Sequence, residues 1–300
     1  MYSVPFDYVR ASSWEDAVAK LQQGDEEARV ISGGQSLVPM MMLRVATPSL
    51  LVDVAAAGER TIDVRDGKLV LSALVRHVDL EHSDVVHGSC PMLTDAASHI
   101  GNVRVRQRGT IGGSLAHGEA TAELSTVAVA QQATVRVLGP AGERSIAAQD
   151  LFVTHLTTSL RPSEVITAVE FPIAGERYGS CFTEISRRAG DFAMVEVAAA
   201  LTLDDDGRCV TVRLVVGAVG DHPADVSAAA QALVGDRVSD GTVADLARSI
   251  AQGVEIGPST HAGLGYRRDM VAVLIGRALR TAAARATLGS GPPTTNGHIR

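Results

Sequence analysis

Two stretches far apart in the chain share one grammar. "ISGGQSLVPMMMLR", beginning at Ile31, and "RQRGTIGGSLAHGEATAEL", beginning at Arg106, each run from an apolar β-branched lead-in through a glycine pair and a small polar residue into an apolar run compatible with a helix. Without a Cβ the backbone can take positive φ, approach a ligand closely and turn successive N–H groups toward one anion. Ser32, Gln35 and Ser36 in the first stretch, with Thr110 and Ser114 in the second, add side-chain donors, and a following helix N-terminus adds positive dipole. One such loop suits a phosphate and two suit a diphosphate. A pair of ordinary tight turns accounts for the same glycines, and on pattern alone the two readings stand level.

Other chemistries find less support. Neither G-x-x-x-x-G-K-[ST] nor G-x-G-x-x-G occurs, which sets aside a P-loop kinase and an ordinary Rossmann dehydrogenase, and G-x-S-x-G and H-E-x-x-H are missing too. His77, His82 and His87 lie five apart, a spacing that does not share a helical face, so a metal site is not expected. His117, shortly after the second glycine pair, is read either as a ligand contact or as a loop-stabilising group. Arg104, Arg106 and Arg108 alternate with Val103, Val105 and Gln107 and are expected on one face of an extended segment, for phosphates, a partner or solvent. The net charge of -7, without a basic block, argues against nucleic acid. No apolar run approaches the roughly 18 to 20 residues of a membrane span, and a cytoplasmic location is expected. Cys90, Cys181 and Cys209 show no C-x-x-C spacing, which argues against a disulfide framework, zinc or an iron–sulfur cluster on this chain.

At 300 residues the chain exceeds usual single-domain size, so two domains sharing one site are expected. Ser13 reads as the N-cap of a helix ending near Gly24, and "ARVIS" as a strand leading into the first glycine pair. Hairpins are expected around Asp66-Gly67 and Pro140-Ala141-Gly142, with helices over "PMLTDAASHIG" and from Glu123 to Ala133. After a connector at 173–178, strand signals run from Ser180 to Gly217 with "DDDGR" as a turn, and helical stretches follow near 223–234, 243–252 and 267–286. The class is α+β: a domain over 1–175 with subdomains of about 1–56 and 57–175, a sheet-plus-helices domain over 176–287, and a tail over 288–300 expected to be disordered.

Taken together, "SGGQSLVPMMMLR", "IGNVRVRQRGTIGGSLAHGEATAEL", "GERSIAAQDLF", "EVITAVEFP" and "RRAGDFAMVEVA" resemble the FAD-binding medium subunit of the molybdenum hydroxylases, in consistent order from about Pro5 to Ala283. The resemblance implies a vanillyl-alcohol-oxidase-type FAD domain of two subdomains and a C-terminal domain of one sheet plus helices, with FAD held non-covalently. It assigns Ile31, Ser32, Gly33, Gly34, Gln35, Ser36 and Leu37 in the first loop and Thr110, Ile111, Gly112, Gly113 and Ser114 in the second to the diphosphate and adjoining groups. It places Ile100 near the isoalloxazine, Glu123 by the ribose or nearby polar groups, and Ile166 by the adenine, with His117 and Thr183 also near the cofactor. No catalytic residue is assigned, because the redox chemistry belongs to the cofactor. Departures fall at Gly118, Glu119, Ala120 and Thr121, at Met42 in place of a frequent lysine, and at Thr183, where some relatives carry a lysine.

In such complexes a large molybdenum-cofactor subunit hydroxylates the substrate with oxygen from water. Electrons pass through two [2Fe-2S] clusters of a small subunit to FAD and on to an external acceptor. A dimer of heterotrimers is therefore implied. Two other readings remain, a stand-alone flavin-dependent reductase of the same fold and a non-catalytic scaffold. Gly33→Val and Gly113→Val are expected to lose FAD in the first reading and to be silent in the scaffold.

Overall fold

The computed structural model describes residues 2–173 and 175–288. The tail read as disordered lies outside them beyond Leu288. Ser13 starts the first helix as its spacing predicts: its Oγ accepts from the Asp16 N–H at 3.1 Å, and the Trp14–Gln23 helix follows. That helix buries Ala17, Val18 and Leu21 against a parallel sheet in which Leu50–Asp53 lies between Asp7–Arg10 and Arg29–Ile31. The Arg29–Ile31 strand delivers the chain to the first glycine pair, and a short helix, Leu37–Met42, carries it away.

The next sheet is antiparallel, ordered Ile62–Arg65, Lys68–Ser72, Val165–Pro172, Thr134–Gly139 and Gly142–Ala147. Both expected hairpins form. Asp66 and Gly67 take φ of 52° and 70°, the left-handed pair a two-residue turn requires. The central strand comes from far along the chain and joins the two hairpins. The Pro91–His99 and Ile111–His117 helices contribute buried side chains to the same core, and the Glu123–Ala130 helix is buried at every position.

That helix has no solvent face because a third sheet covers it. Tyr178–Ser186, Ala193–Leu203, Cys209–Gly217 and Ala224–Asp225 form an antiparallel sheet buried on both sides. Cys181, Val195, Val197 and Leu201 pack among the helices Asp240–Gly253 and Leu264–Leu288, while Phe182, Ala198, Ala200 and Val215 join the core of the preceding part. Two buried faces explain why "AMVEVAAALTL" reads as a continuous apolar run instead of alternating. Arg285 on the last helix ties the parts together, donating to Asp95 at 2.5 and 3.1 Å and to the Ser180 carbonyl at 2.6 Å.

Two local expectations need correction. Residues 103–106 are a helical turn, not an extended segment: the Asn102 side chain accepts from the Arg104 N–H at 2.9 Å and caps it. Arg106 accordingly turns inward, to Glu81 at 2.7 Å and the Ile100 carbonyl at 3.0 Å. The stretch at 223–234 is shorter than expected, holding only Ser227–Ala230 and a 3-10 turn over Gln231–Leu233.

Candidate functional site

The two glycine stretches touch. A Cβ on Gly33 would stand 2.8 Å from both the Arg108 carbonyl carbon and the Gly109 Cα, and the Ser32 and Thr110 hydroxyls lie 3.0 Å apart. Their glycines serve different ends. Only Gly34, at φ 72°, needs the left-handed region. Gly112 and Gly113 sit in the first turn of the Ile111–His117 helix, where Thr110 is the N-cap and its Oγ1 accepts from the Gly113 N–H at 3.2 Å. Gly112 is required by packing, since a Cβ there would meet the Ala73 Cβ at 2.5 Å. Of these four glycines one uses the positive φ that a missing Cβ allows.

Between the stretches opens a cleft of about 910 Å³, lined by Ile31, Ser32, Gly33, Gly34, Gln35, Ser36, Leu37, Ile100, Thr110, Gly112, Gly113, Ser114, His117, Glu123 and Ile166. Two expected residues lie off it. Ile111, fully buried, packs into the core because the first helical turn points it inward. Thr183 shares the parity of Cys181 and Ile185, so it faces the C-terminal helices, away from the cleft. At Ile166 a bulge shifts the register of the central strand between Ile166 and Ala168.

Two wall segments were not expected at the cofactor, although "EVITAVEFP" and "RRAGDFAMVEVA", which begin in them, carry part of the family resemblance. One is the turn Arg161–Glu164, where Ser163 takes φ 62° and Glu164 accepts from Arg144 at 2.7 Å. The other, from the C-terminal sheet, brings Arg187, Gly190, Asp191 and Phe192 to the cleft. Gly190, at φ 83°, crosses the Gly101 backbone so closely that a Cβ would lie 2.7 Å from its carbonyl oxygen. Phe192 is 70% exposed, and the signal available in the sequence was its place in "RRAGDFAMVEVA".

Three groups at the cleft have their charge set by burial. His77, pressed against Gly109 with neither ring nitrogen bonded, is driven down to about 4 and is neutral. Burial also lowers His117. It pushes the Glu123 carboxyl up to about 7. The departure at Gly118–Thr121 is locally satisfied: Gly118 caps the preceding helix at φ 65°, and Glu119 accepts from the Thr121 N–H at 3.2 Å and its hydroxyl at 3.1 Å.

Behind Glu123 lie two more acids, Glu196, fully buried, and Glu184, which burial and then the Glu123 charge push up to about 8. Unfolding returns Glu184 to the ordinary carboxyl value of 4.5. Between about 4.5 and about 8 the native protein therefore binds more protons than the unfolded chain. Stability from these groups is full below 4.5 and is lost as pH rises through about 8. Melting temperatures across that range are expected to decline with pH in the native protein and to decline less in Glu184→Gln.

The cleft meets the requirements of FAD. Its volume lies at the upper end of the roughly 300–1,000 Å³ of ligand sites. Its glycines allow close backbone approach, and Ser32, Ser114 and Gln35 offer polar groups. A family model described as the FAD binding domain in molybdopterin dehydrogenase matches residues 4–174, and one described as the CO dehydrogenase flavoprotein C-terminal domain matches 180–282. The chain belongs to the FAD-binding medium subunits of the molybdenum hydroxylases. It is an FAD-binding oxidoreductase subunit. It is 38% identical to the 6-hydroxypseudooxynicotine dehydrogenase complex subunit alpha of Paenarthrobacter nicotinovorans, over 94% of this chain and 95% of that one. It is 32% identical to the carbon monoxide dehydrogenase medium chain of Afipia carboxidovorans, over 94% and 98%. Among solved structures, quinoline 2-oxidoreductase from Pseudomonas putida 86 matches with a TM-score of 0.90 at 34% identity, over 95% of this chain and 99% of that one. Among the described residues no helix of this medium subunit is long and apolar enough to cross a membrane.

Proposed function

We propose that this chain is the electron-transfer subunit of a heterotrimeric molybdenum hydroxylase. It takes electrons from [2Fe-2S] clusters of a small partner and passes them to an external acceptor, while a large molybdopterin-binding partner hydroxylates the substrate with oxygen from water. The complex is a dimer of such heterotrimers in the cytoplasm. The observation that carries this reading is the cleft in which two glycine stretches from distant parts of the chain converge, in a chain whose relatives include subunits of 6-hydroxypseudooxynicotine and carbon monoxide dehydrogenases.

In this reading FAD is held non-covalently between subdomains of about 1–56 and 57–175, with the C-terminal domain beginning at about 176. Ser32 to Leu37 and Thr110 to Ser114 would hold the diphosphate, Ile100 the isoalloxazine side, Glu123 the ribose or nearby polar groups, and Ile166 the adenine; His117 stands on the wall. When bound, FAD supplies reversible uptake of two electrons. The protein's part is to fix the cofactor by backbone N–H groups and small hydroxyls and to set the charge around it through neutral His77 and the buried acids. The test is purification of the complex with its partners and a visible spectrum before and after addition of substrate. Flavin absorbance that bleaches with substrate is expected. A colourless complex, or flavin that substrate never reduces, overturns the proposal.

A further inference from the structure

Glu123 and Thr126 lie three apart on the Glu123–Ala130 helix and share a face. Thr126 Oγ1 donates to Glu196 Oε2 at 2.6 Å, so that face meets the Ala193–Leu203 strand. Glu196 is fully buried and its Oε1 has no partner. Directly opposite it across the antiparallel pair stands Glu184, with a side chain only 3% exposed and an Oε2 that is also unpartnered. Directly opposed residues hold their Cβ atoms about 4.5–5.5 Å apart, where like charges repel. Beyond Glu184, the His99 Nδ1 lies 3.7 Å from its Oε1, and the His99 side chain is 43% exposed. At the other end Glu123 lines the cleft. Carboxyl groups therefore lead from the cleft wall through the domain junction to a histidine at the surface.

The neighbouring charges are committed elsewhere. Asp95 is paired with Arg285, and Glu119 is bonded to Thr121. Arg213 reaches the Val129 carbonyl at the far end of the helix and pairs with Asp225 at 2.8 Å. Arg267 donates to the carbonyls of Met194, Ala218 and Gly257. Among the described residues no lysine or arginine pairs with Glu123, Glu184 or Glu196. Three buried carboxyls without a cation cannot all ionise, so the group holds protons at neutral pH. Burial raises all three, and the Glu123 charge adds to it at Glu184 and Glu196.

We propose that Glu123, Glu196 and Glu184 form a proton store for the flavin cleft, refilled from solvent through His99. As two electrons reach the bound cofactor from one-electron donors, Glu123 gives up a proton that ends on the reduced cofactor. Glu196 and Glu184 pass one on to Glu123, and His99 returns one from water. The sum is two electrons and one solvent proton in, and both leave by the reverse route on reoxidation. The inference rests on the reading of this chain as an electron-transfer flavoprotein.

The test is the rate of flavin reduction by dithionite in rapid mixing, at about pH 8, in the purified native complex and in Glu184→Gln/Glu196→Gln. A relay that ends refilled changes the rate at which the proton arrives and leaves the equilibrium potential unaltered. Reduction slower by about tenfold or more in the double variant is expected; equal rates overturn the proposal. Should the variant not retain FAD, infrared spectra recorded during reduction of the native complex decide. A carboxylic-acid carbonyl band that is lost and then recovers, and that shifts in D₂O, is expected, and its absence overturns the proposal. Dithionite supplies the electrons directly, so a flavin that substrate cannot reduce would refute the electron-transfer reading while leaving these rates measurable.

Discussion

Gly33→Val is expected to abolish retention of FAD. The added side chain would enter the backbone at Arg108 and Gly109, which cannot rotate aside as a side chain can, and would push apart the two stretches that line the cleft. Overpacking costs about 1–3 kcal/mol even against yielding side chains, and each 1.4 kcal/mol is a factor of ten, so affinity should fall roughly 100-fold or more. The visible spectrum of the purified complex and its FAD content after gel filtration measure this. Gly113 is the informative contrast. A Cβ there would meet nothing but the Thr110 Oγ1, at 2.9 Å, so the equivalence of Gly33→Val and Gly113→Val expected from pattern does not carry over to the folded protein. Gly113→Ala displaces the Thr110 capping hydroxyl alone, at a cost of about 1 kcal/mol, and should fold with a melting temperature lowered by a few degrees at most. Loss of flavin from that variant would report a contact with the cofactor itself. Full flavin retention in Gly33→Val would show that the contact between the stretches does not shape the site.

Gly179→Val is expected to detach the C-terminal helix. Gly179 lies on the Tyr178–Ser186 strand where the Leu264–Leu288 helix passes directly over it, and a Cβ would stand 2.5 Å from the Ala286 nitrogen and 3.0 Å from the Ala282 carbonyl carbon. Separating strand and helix exposes Leu279 and Ala282, both fully buried, and draws Arg285 off Asp95 and the Ser180 carbonyl. A loss of about 3 kcal/mol or more should lower the melting temperature by roughly 10 °C in a chain of this size. Gly241→Ala, where a Cβ meets nothing within 4 Å, is the control and should melt within about a degree of the native protein. Similar melting of the two variants would refute the packing argument.

What could be read from the chain was local chemistry. Ser13 as a cap and Asp66-Gly67 as a turn each depend on a few adjacent residues and take their expected places, and the two glycine pairs line one cleft. Errors arose where neighbours in space decide. Alternation across Val103–Arg106 looks like a strand, but four residues are too few to distinguish periods of 2 and 3.6, and the Asn102 cap settles it as a helix. Thr183 was placed near the flavin by resemblance, although strand parity turns it toward the helices. The Arg161–Glu164 turn has no fingerprint, and "RRAGDFAMVEVA" marked the family without marking a cofactor contact, because both segments become cleft walls only when the central strand and the third sheet bring them there. Glu184 and Glu196 were illegible for the same reason: their juxtaposition is a register between strands, not a spacing along the chain.

The central position of Val165–Pro172 has a consequence during synthesis. The strand that joins the Lys68–Ser72 and Thr134–Gly139 hairpins, and that contributes Ile166 to the cleft, is the last of its sheet to leave the ribosome. Until it emerges, the five-stranded sheet is open in the middle, with unpaired strand edges. The cleft is therefore completed late, and a nascent chain ending before residue 165 lacks one of its walls.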